Sequence, residues 1–184
     1  MLEILSPSLI RRAQEGEPMV VGALYERYQR GIYRYLYYRV GDLQTAEDLT
    51  SEVFLRMVEK LSSYSDQNLS FQAWLFQIAR NLSIDHYRKM SVQNNVELQD
   101  EFPEQGNEPL EMVAKELTIE KLGHALAQLP ENQRDVIIMR FVIEMPIGEV
   151  AKTLHKTEDS IKGLQRRALI SLKDILVEWE VTYV

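Results

Sequence analysis

The 184-residue sequence predicts an all-α fold: two small helical domains joined by a flexible acidic linker, the second containing a helix-turn-helix. Three observations predict it. Apolar residues recur at three- and four-residue spacing through almost the whole chain, which aligns one face of an α-helix, and no alternating strand pattern appears. Residues 91–110 carry two prolines, a glycine and several amides with no sustained period, as a domain boundary does. Pro146–Leu154, a short connection, and a helix from Glu158 onward have the proportions of a helix-turn-helix. The expected divisions are 1–91, a linker at 92–111, and 112–184.

The elements follow from local signals. Ser6-Pro7 and Glu17-Pro18 each put proline at a first helical position, where its missing N–H costs nothing. The second helix runs to about Val40 with Leu24, Tyr28, Ile32, Tyr35 and Leu36 on one face, and Gly41 ends it. Asp42 caps a third helix through about Leu61, whose inward stripe is Ala46, Leu49, Val53, Met57 and Leu61. After a polar loop at 62–70, Ser70 caps Phe71–Lys89. Beyond the linker come a helix near Glu111–Gln128, one opened by Pro130, a short one opened by Pro146, and a last helix capped by Thr157 that runs toward Trp179.

Composition narrows the function. A hydrophobic fraction of 45% and a charged fraction of 27% are those of a globular protein. No apolar run approaches the roughly 18 residues that span a bilayer, and the start of the chain lacks a signal-peptide pattern, so a cytoplasmic protein without membrane insertion is expected. There is no cysteine, and His86, His124 and His155 are scattered, so neither a metal site nor a cofactor is expected. Asp85-His86 has no nucleophile or third group beside it, which argues against an enzyme and leaves no catalytic residue to name. The net charge of −7 is concentrated: residues 91–120 hold eight acids against Lys115, so the remainder is neutral overall and has room for basic patches.

Two segments carry binding chemistry. On the last helix Ile161, Leu164, Ala168 and Leu172 form the inward stripe, and Ser160, Lys162, Gly163, Arg166 and Arg167 lie beside it. From Lys156 to Lys173 there are five bases and two acids. Cations there neutralise phosphates, and side chains near the helix start reach base edges in the major groove; the plainer alternative is a solvated basic face. On Phe71–Lys89, Phe71, Trp74, Leu75, Ile78, Leu82 and Tyr87 supply core material, while Arg80, Asn81, Asp85, Arg88 and Lys89 form a polar set. Interleaved aromatic and cationic surface suits unstacked bases, although Trp74 and Phe76 serve equally well as core.

These residues resemble those of bacterial RNA polymerase sigma factors of the compact extracytoplasmic-function (ECF) type, over nearly the whole chain. Ala46-Glu47-Asp48-Leu49 with Glu52-Val53-Phe54-Leu55-Arg56 is similar to the family's polymerase-binding helix. WLFQIARN and IDHYRK in Phe71–Lys89 are similar to its promoter-melting, minus-ten-reading helix. Leu129-Pro130-Glu131, Gln133-Arg134 and Glu149-Val150-Ala151, with Ser160-Ile161-Lys162 and Arg166-Arg167-Ala168, are similar to its minus-thirty-five-binding domain. The resemblance implies that Asp48, Leu49, Glu52, Phe54 and Arg56 bind core RNA polymerase. It implies that loop 62–70, Tyr64 and Asn81 hold a flipped minus-ten base, with Tyr64 either stacking on it or anchoring the loop, and that Trp74, Asp85, Arg80, Arg88 and Lys89 complete that strand's site. Lys156, Ser160, Lys162, Gly163, Arg166 and Arg167 then contact the minus-thirty-five duplex. An anti-sigma factor is a further expected partner. The acidic linker either mimics RNA in the polymerase channel or is a solvated tether. A free-standing helix-turn-helix regulator of duplex operators is the competing reading; it gives no role to the aromatic helix. The sequence departs from the family pattern at Ser51, at Met145-Pro146 and at His155, which occupies a turn position often held by glycine.

Overall fold

The computed structural model describes residues 7–65, 69–94 and 110–182. Within them the chain forms α1 (Pro7–Gln14), α2 (Pro18–Val40), α3 (Leu43–Lys60), a 3-10 turn at Leu61–Ser63, α4 (Phe71–Asn94), α5 (Leu110–Ala127), α6 (Glu131–Ile137) with a π turn at Ile138–Val142, α7 (Ile147–Thr153) and α8 (Glu158–Thr182). No strand occurs among the described residues. The central residues of the acidic connector, 95–109, lie outside the described residues.

The first domain is built on α2, α3 and α4. Gly41 takes the left-handed backbone (φ 73°) and its N–H closes onto the Tyr37 carbonyl at 2.8 Å, ending α2. Asp42 then accepts from the Thr45 N–H at 2.7 Å, starting α3 one residue later. That hydrogen bond to the charged form holds the Asp42 carboxyl below the usual carboxylate range. The reversal lays α3 back against α2, and Leu24, Ile32, Tyr35 and Leu36 meet Val53 and Met57 in a buried core. α4 closes it with Leu75, Phe76, Ala79 and Leu82. Buried Ala46, Ala73 and Ala79 let the helices approach closely.

Helix α4 runs to Asn94, five residues past the end expected at Lys89. Nothing between Met90 and Asn94 stops a helix: the first proline after it is Pro103. In the second domain α6, α7 and α8 enclose Val136, Ile138, Met139, Met145, Val150 and Ile161. The π turn was not legible in the sequence. Its Ile143 N–H bonds the Ile138 carbonyl at 2.9 Å, and the following Glu144 is left-handed (φ 60°). Arg140 secures this turn by donating to the Met145 carbonyl.

The two domains touch. α4 lies against α7, and α2 against α5 and the π turn. Tyr35, Arg39 and Arg80 of the first domain meet Asp135 and Glu131 of the second.

Candidate nucleic-acid and polymerase interfaces

On α3, Asp48 and Ser51 are exposed, Leu49 and Glu52 half-buried, and Glu52 holds Arg56 at 2.9 Å. Phe54 is different: it is buried, with its ring 4.7 Å from Tyr25. Its side chain therefore shapes this surface from beneath. The apolar groups that face outward are Leu55 (60% exposed) and Val58 (55%), with Tyr25 and Met19 exposed on α2. Monomer surfaces seldom leave such residues clustered unless something covers them. The sequence places Leu55 only as part of the polymerase-binding motif and does not mark Val58 or Tyr25, because a single-face stripe does not reveal apolar residues on the helix's other side.

The polar set of α4 divides. Asn81, Arg88 and Lys89 are exposed, and Asp85 is half-buried with Arg88 3.8 Å away. Trp74, Gln77, Asn81 and Arg88 recur at helical spacing and so share one stripe. Tyr64 is buried, 4.9 Å from Trp74 and 5.5 Å from Phe71 by ring centroid, and its hydroxyl donates to the Leu69 carbonyl at 2.8 Å. It anchors the loop, with half-buried Trp74 beside it. Phe76 is core. Ser70 accepts from the Ala73 N–H at 3.2 Å as the helix cap and donates to Glu149 of α7.

Arg80 is not free. Its Nε donates to Asp135 Oδ2 at 2.8 Å and its Nη2 to Glu131 Oε1 at 3.1 Å. Arg39, which no sequence signal distinguished, donates to Asp135 Oδ1 at 2.8 Å and to Ser83 at 3.2 Å. Burial opposes the Arg39 charge, but the Asp135 and Glu131 carboxylates outweigh it and raise the guanidinium pKa. Burial and the neighbouring Asp135 push the Tyr35 phenol well up, so it stays a neutral donor. Burial lowers the His86 imidazole, with Asp42 opposing.

The helix-turn-helix presents its basic face outward. Ser160, Lys162, Arg166 and Arg167 are exposed, and Gly163 and Lys156 are half-buried. Thr157 caps α8 by accepting from the Ser160 N–H at 3.2 Å. His155 makes the turn in the left-handed region (φ 51°), which histidine tolerates better than most residues. A Cβ on Gly163 would meet only the Arg167 guanidinium, at 3.6 Å. Gly163→Ala is therefore expected to stabilise the fold by up to about 1 kcal/mol, read by urea denaturation. If promoter affinity falls while stability rises, Gly163 sits against DNA; an unstable variant would contradict the open space around it.

Fold and surfaces together define an all-helical protein among its described residues, with exposed Asn81, Arg88 and Lys89 on α4 and an exposed basic face on α8. Residues 24–92 match the Sigma-70 region 2 family and residues 125–174 match Sigma-70 region 4. The chain is 38% identical over 170 residues to the ECF RNA polymerase sigma factor BldN of Streptomyces coelicolor, covering 91% of this chain and 64% of that protein. It is 32% identical over 157 residues to SigX of Bacillus subtilis, covering 82% and 80%. It belongs to the ECF RNA polymerase sigma factors. The solved structure of CnrH in complex with the cytosolic domain of CnrY has the same fold, with a TM-score of 0.73 at 22% identity over 92% of this chain and 96% of that one.

Proposed function

We propose that this sigma factor binds core RNA polymerase through α2 and α3, recognises and melts the minus-ten element with α4, and grips the minus-thirty-five duplex with α8. One observation carries the reading: both sigma regions occur in order on one chain, each with a separate exposed surface of fitting chemistry. Asp48, Glu52 and Arg56 supply polar contacts around exposed Leu55 and Val58. Exposed Asn81 and half-buried Trp74 can hold and flank an unstacked base, with Arg88 and Lys89 along the strand. Arg166 and Arg167 make no ion pair among the described residues, so they remain available to phosphates and bases.

The same reading makes the protein a non-catalytic cytoplasmic subunit. Among the described residues no helix is long and apolar enough to cross a membrane. Similar proteins have been solved with regulators, among them RpoE of Bartonella quintana with the anti-sigma factor NepR. An anti-sigma factor fits the exposed apolar patch of α2 and α3; Leu55→Lys should weaken polymerase and such a regulator together, and loss of only one would separate the two surfaces.

Asn81→Ala tests the melting role. Open-complex formation, read as permanganate reactivity of minus-ten thymines, is expected to fall by about tenfold, the scale of one lost base contact. Polymerase binding should be unchanged. Normal melting in this variant removes Asn81 from the strand site.

A further inference from the structure

A cavity of about 590 Å³ opens between α1 and the loop that follows α3. Its walls come from both: Ser8, Ile10, Arg11 and Gln14 of α1, and Tyr64 and Ser65 of the loop. A volume of this order is that of a small-molecule site. Buried Ile10 and Ala13 seat α1 on the core. Gln14 then spends both amide hydrogens on the loop, donating to the Leu61 carbonyl at 2.9 Å and to the Tyr64 carbonyl at 2.8 Å. Its oxygen remains as an acceptor. These bonds tie the two walls together, so the fold itself holds the cavity. The two arginines that line it differ. Arg12 grips Glu17, with Nε at 3.0 Å and Nη2 at 2.7 Å. Arg11 is exposed and pairs with no carboxylate among the described residues. One available guanidinium thus shares a cavity with an aliphatic side chain, an aromatic ring, an amide oxygen and a hydroxyl.

We propose that this cavity is a nucleoside-phosphate site, with Arg11 on the phosphate and Ile10, Tyr64 and Gln14 around the base. The guanidinium fork donates to two phosphate oxygens at once, which a single planar cation does better than an ammonium. The apolar wall covers a flat ring, and the Gln14 oxygen accepts from an amino group on it. A bare anion would leave most of the space empty, and an uncharged ring would leave Arg11 unused. Tyr64 connects the cavity to its neighbour, because its ring lies 4.9 Å from that of Trp74 on α4. A nucleotide here therefore holds the same loop that borders the proposed minus-ten strand site, whether it arrives free in solution or as one unit of the strand. The identity of that neighbouring surface rests on the sigma-factor reading; the chemistry of the cavity does not.

The test titrates the full chain with adenosine 5′-monophosphate by calorimetry, and with adenosine and inorganic phosphate as its two halves. One saturable site is expected for the monophosphate. Each half should bind at least about tenfold more weakly, because the linked groups bind as one. Arg11→Gln should weaken the monophosphate by about tenfold, the scale of one lost charged hydrogen-bond partner. Arg30→Gln removes an equal charge from an exposed position on α2 and should change nothing. Ser8→Trp, at an exposed position on the cavity wall, should fill the space and abolish binding with every charge intact. A short labelled single strand of mixed sequence separates the two sources. Competition with the monophosphate, together with weaker strand binding by Arg11→Gln, assigns the site to the strand. Simultaneous binding, with strand affinity unchanged in Arg11→Gln, assigns it to a free nucleotide. The absence of saturable monophosphate binding, an equal loss in Arg11→Gln and Arg30→Gln, or phosphate alone binding as tightly as the monophosphate would overturn the site. None of these readouts involves polymerase, so the cavity and the promoter reading fail separately.

Discussion

Phe76→Ala is expected to cost about 3–5 kcal/mol, the usual loss for emptying a buried phenyl site. Phe76 is 1% exposed and meets Tyr35 edge-on at 5.6 Å. It also stands 3.6 Å from where a Cβ on Gly31 would sit, so α2 and α4 close around it. The neighbours are the buried Tyr35 ring and the α2 backbone at Gly31, close-packed groups that collapse little into the space. Thermal or urea unfolding followed by circular dichroism measures the loss. Phe141→Ala is the control: that ring is half exposed, and its removal should change stability by no more than about 0.5 kcal/mol. A Phe76→Ala loss below about 1 kcal/mol would mean that α4 is not seated on this core. The consequence reaches function, because the face of α4 opposite Phe76 carries Asn81 and Arg88.

The second large effect is on DNA. Lys162→Ala combined with Arg166→Ala should lower use of promoters that have the upstream element. Each lost contact is worth about 1–3 kcal/mol if it reads a base, and less if it holds only a phosphate. Lys162 has an exposed partner in Asp159 at 3.1 Å, a pair too solvated to hold it back from DNA. Arg166 projects from the same exposed face. Initiation on templates lacking the upstream element should be unchanged. Equal loss on both templates would place these side chains outside the duplex contact. A uniform loss across upstream sequences, with a shallower salt dependence, would mark phosphate contact without base reading.

Much of this fold was legible because its punctuation is local. Gly41, Asp42, Ser70 and Thr157 each act within three or four residues, and each does in the structure what its chemistry predicts. The inward stripe of α2 is buried as its spacing required. Periodicity misses what depends on partners far along the chain. Arg39 and Asp135 are 96 residues apart, and each alone looks like one more charge on an amphipathic helix. The π turn and left-handed Glu144 escaped because no glycine or asparagine marks them. For the site, residue types told correctly which helices carry exposed polar groups, but not their state. Arg80 reads as a strand-binding cation and stands in a network of carboxylates; the sequence leaves Tyr64 open between base stacking and loop anchoring, and its hydroxyl bonds the Leu69 carbonyl as a loop anchor does. The family resemblance implies a polymerase contact for Phe54, whose ring packs on Tyr25 while adjacent Leu55 faces solvent. One position along a helix turns a side chain by about 100°, enough to carry it from the buried to the exposed side, and composition cannot resolve it.

The central claim is that this chain confers promoter-dependent initiation on core RNA polymerase. Run-off transcription with purified core enzyme, with and without the protein, on templates drawn from the genome that encodes it, measures that directly. Discrete transcripts that appear only when the protein is added, and that diminish with Asn81→Ala, are the predicted result. Tight, specific duplex binding by the protein alone, with no transcript from the supplemented polymerase, would contradict it and favour a free-standing helix-turn-helix regulator.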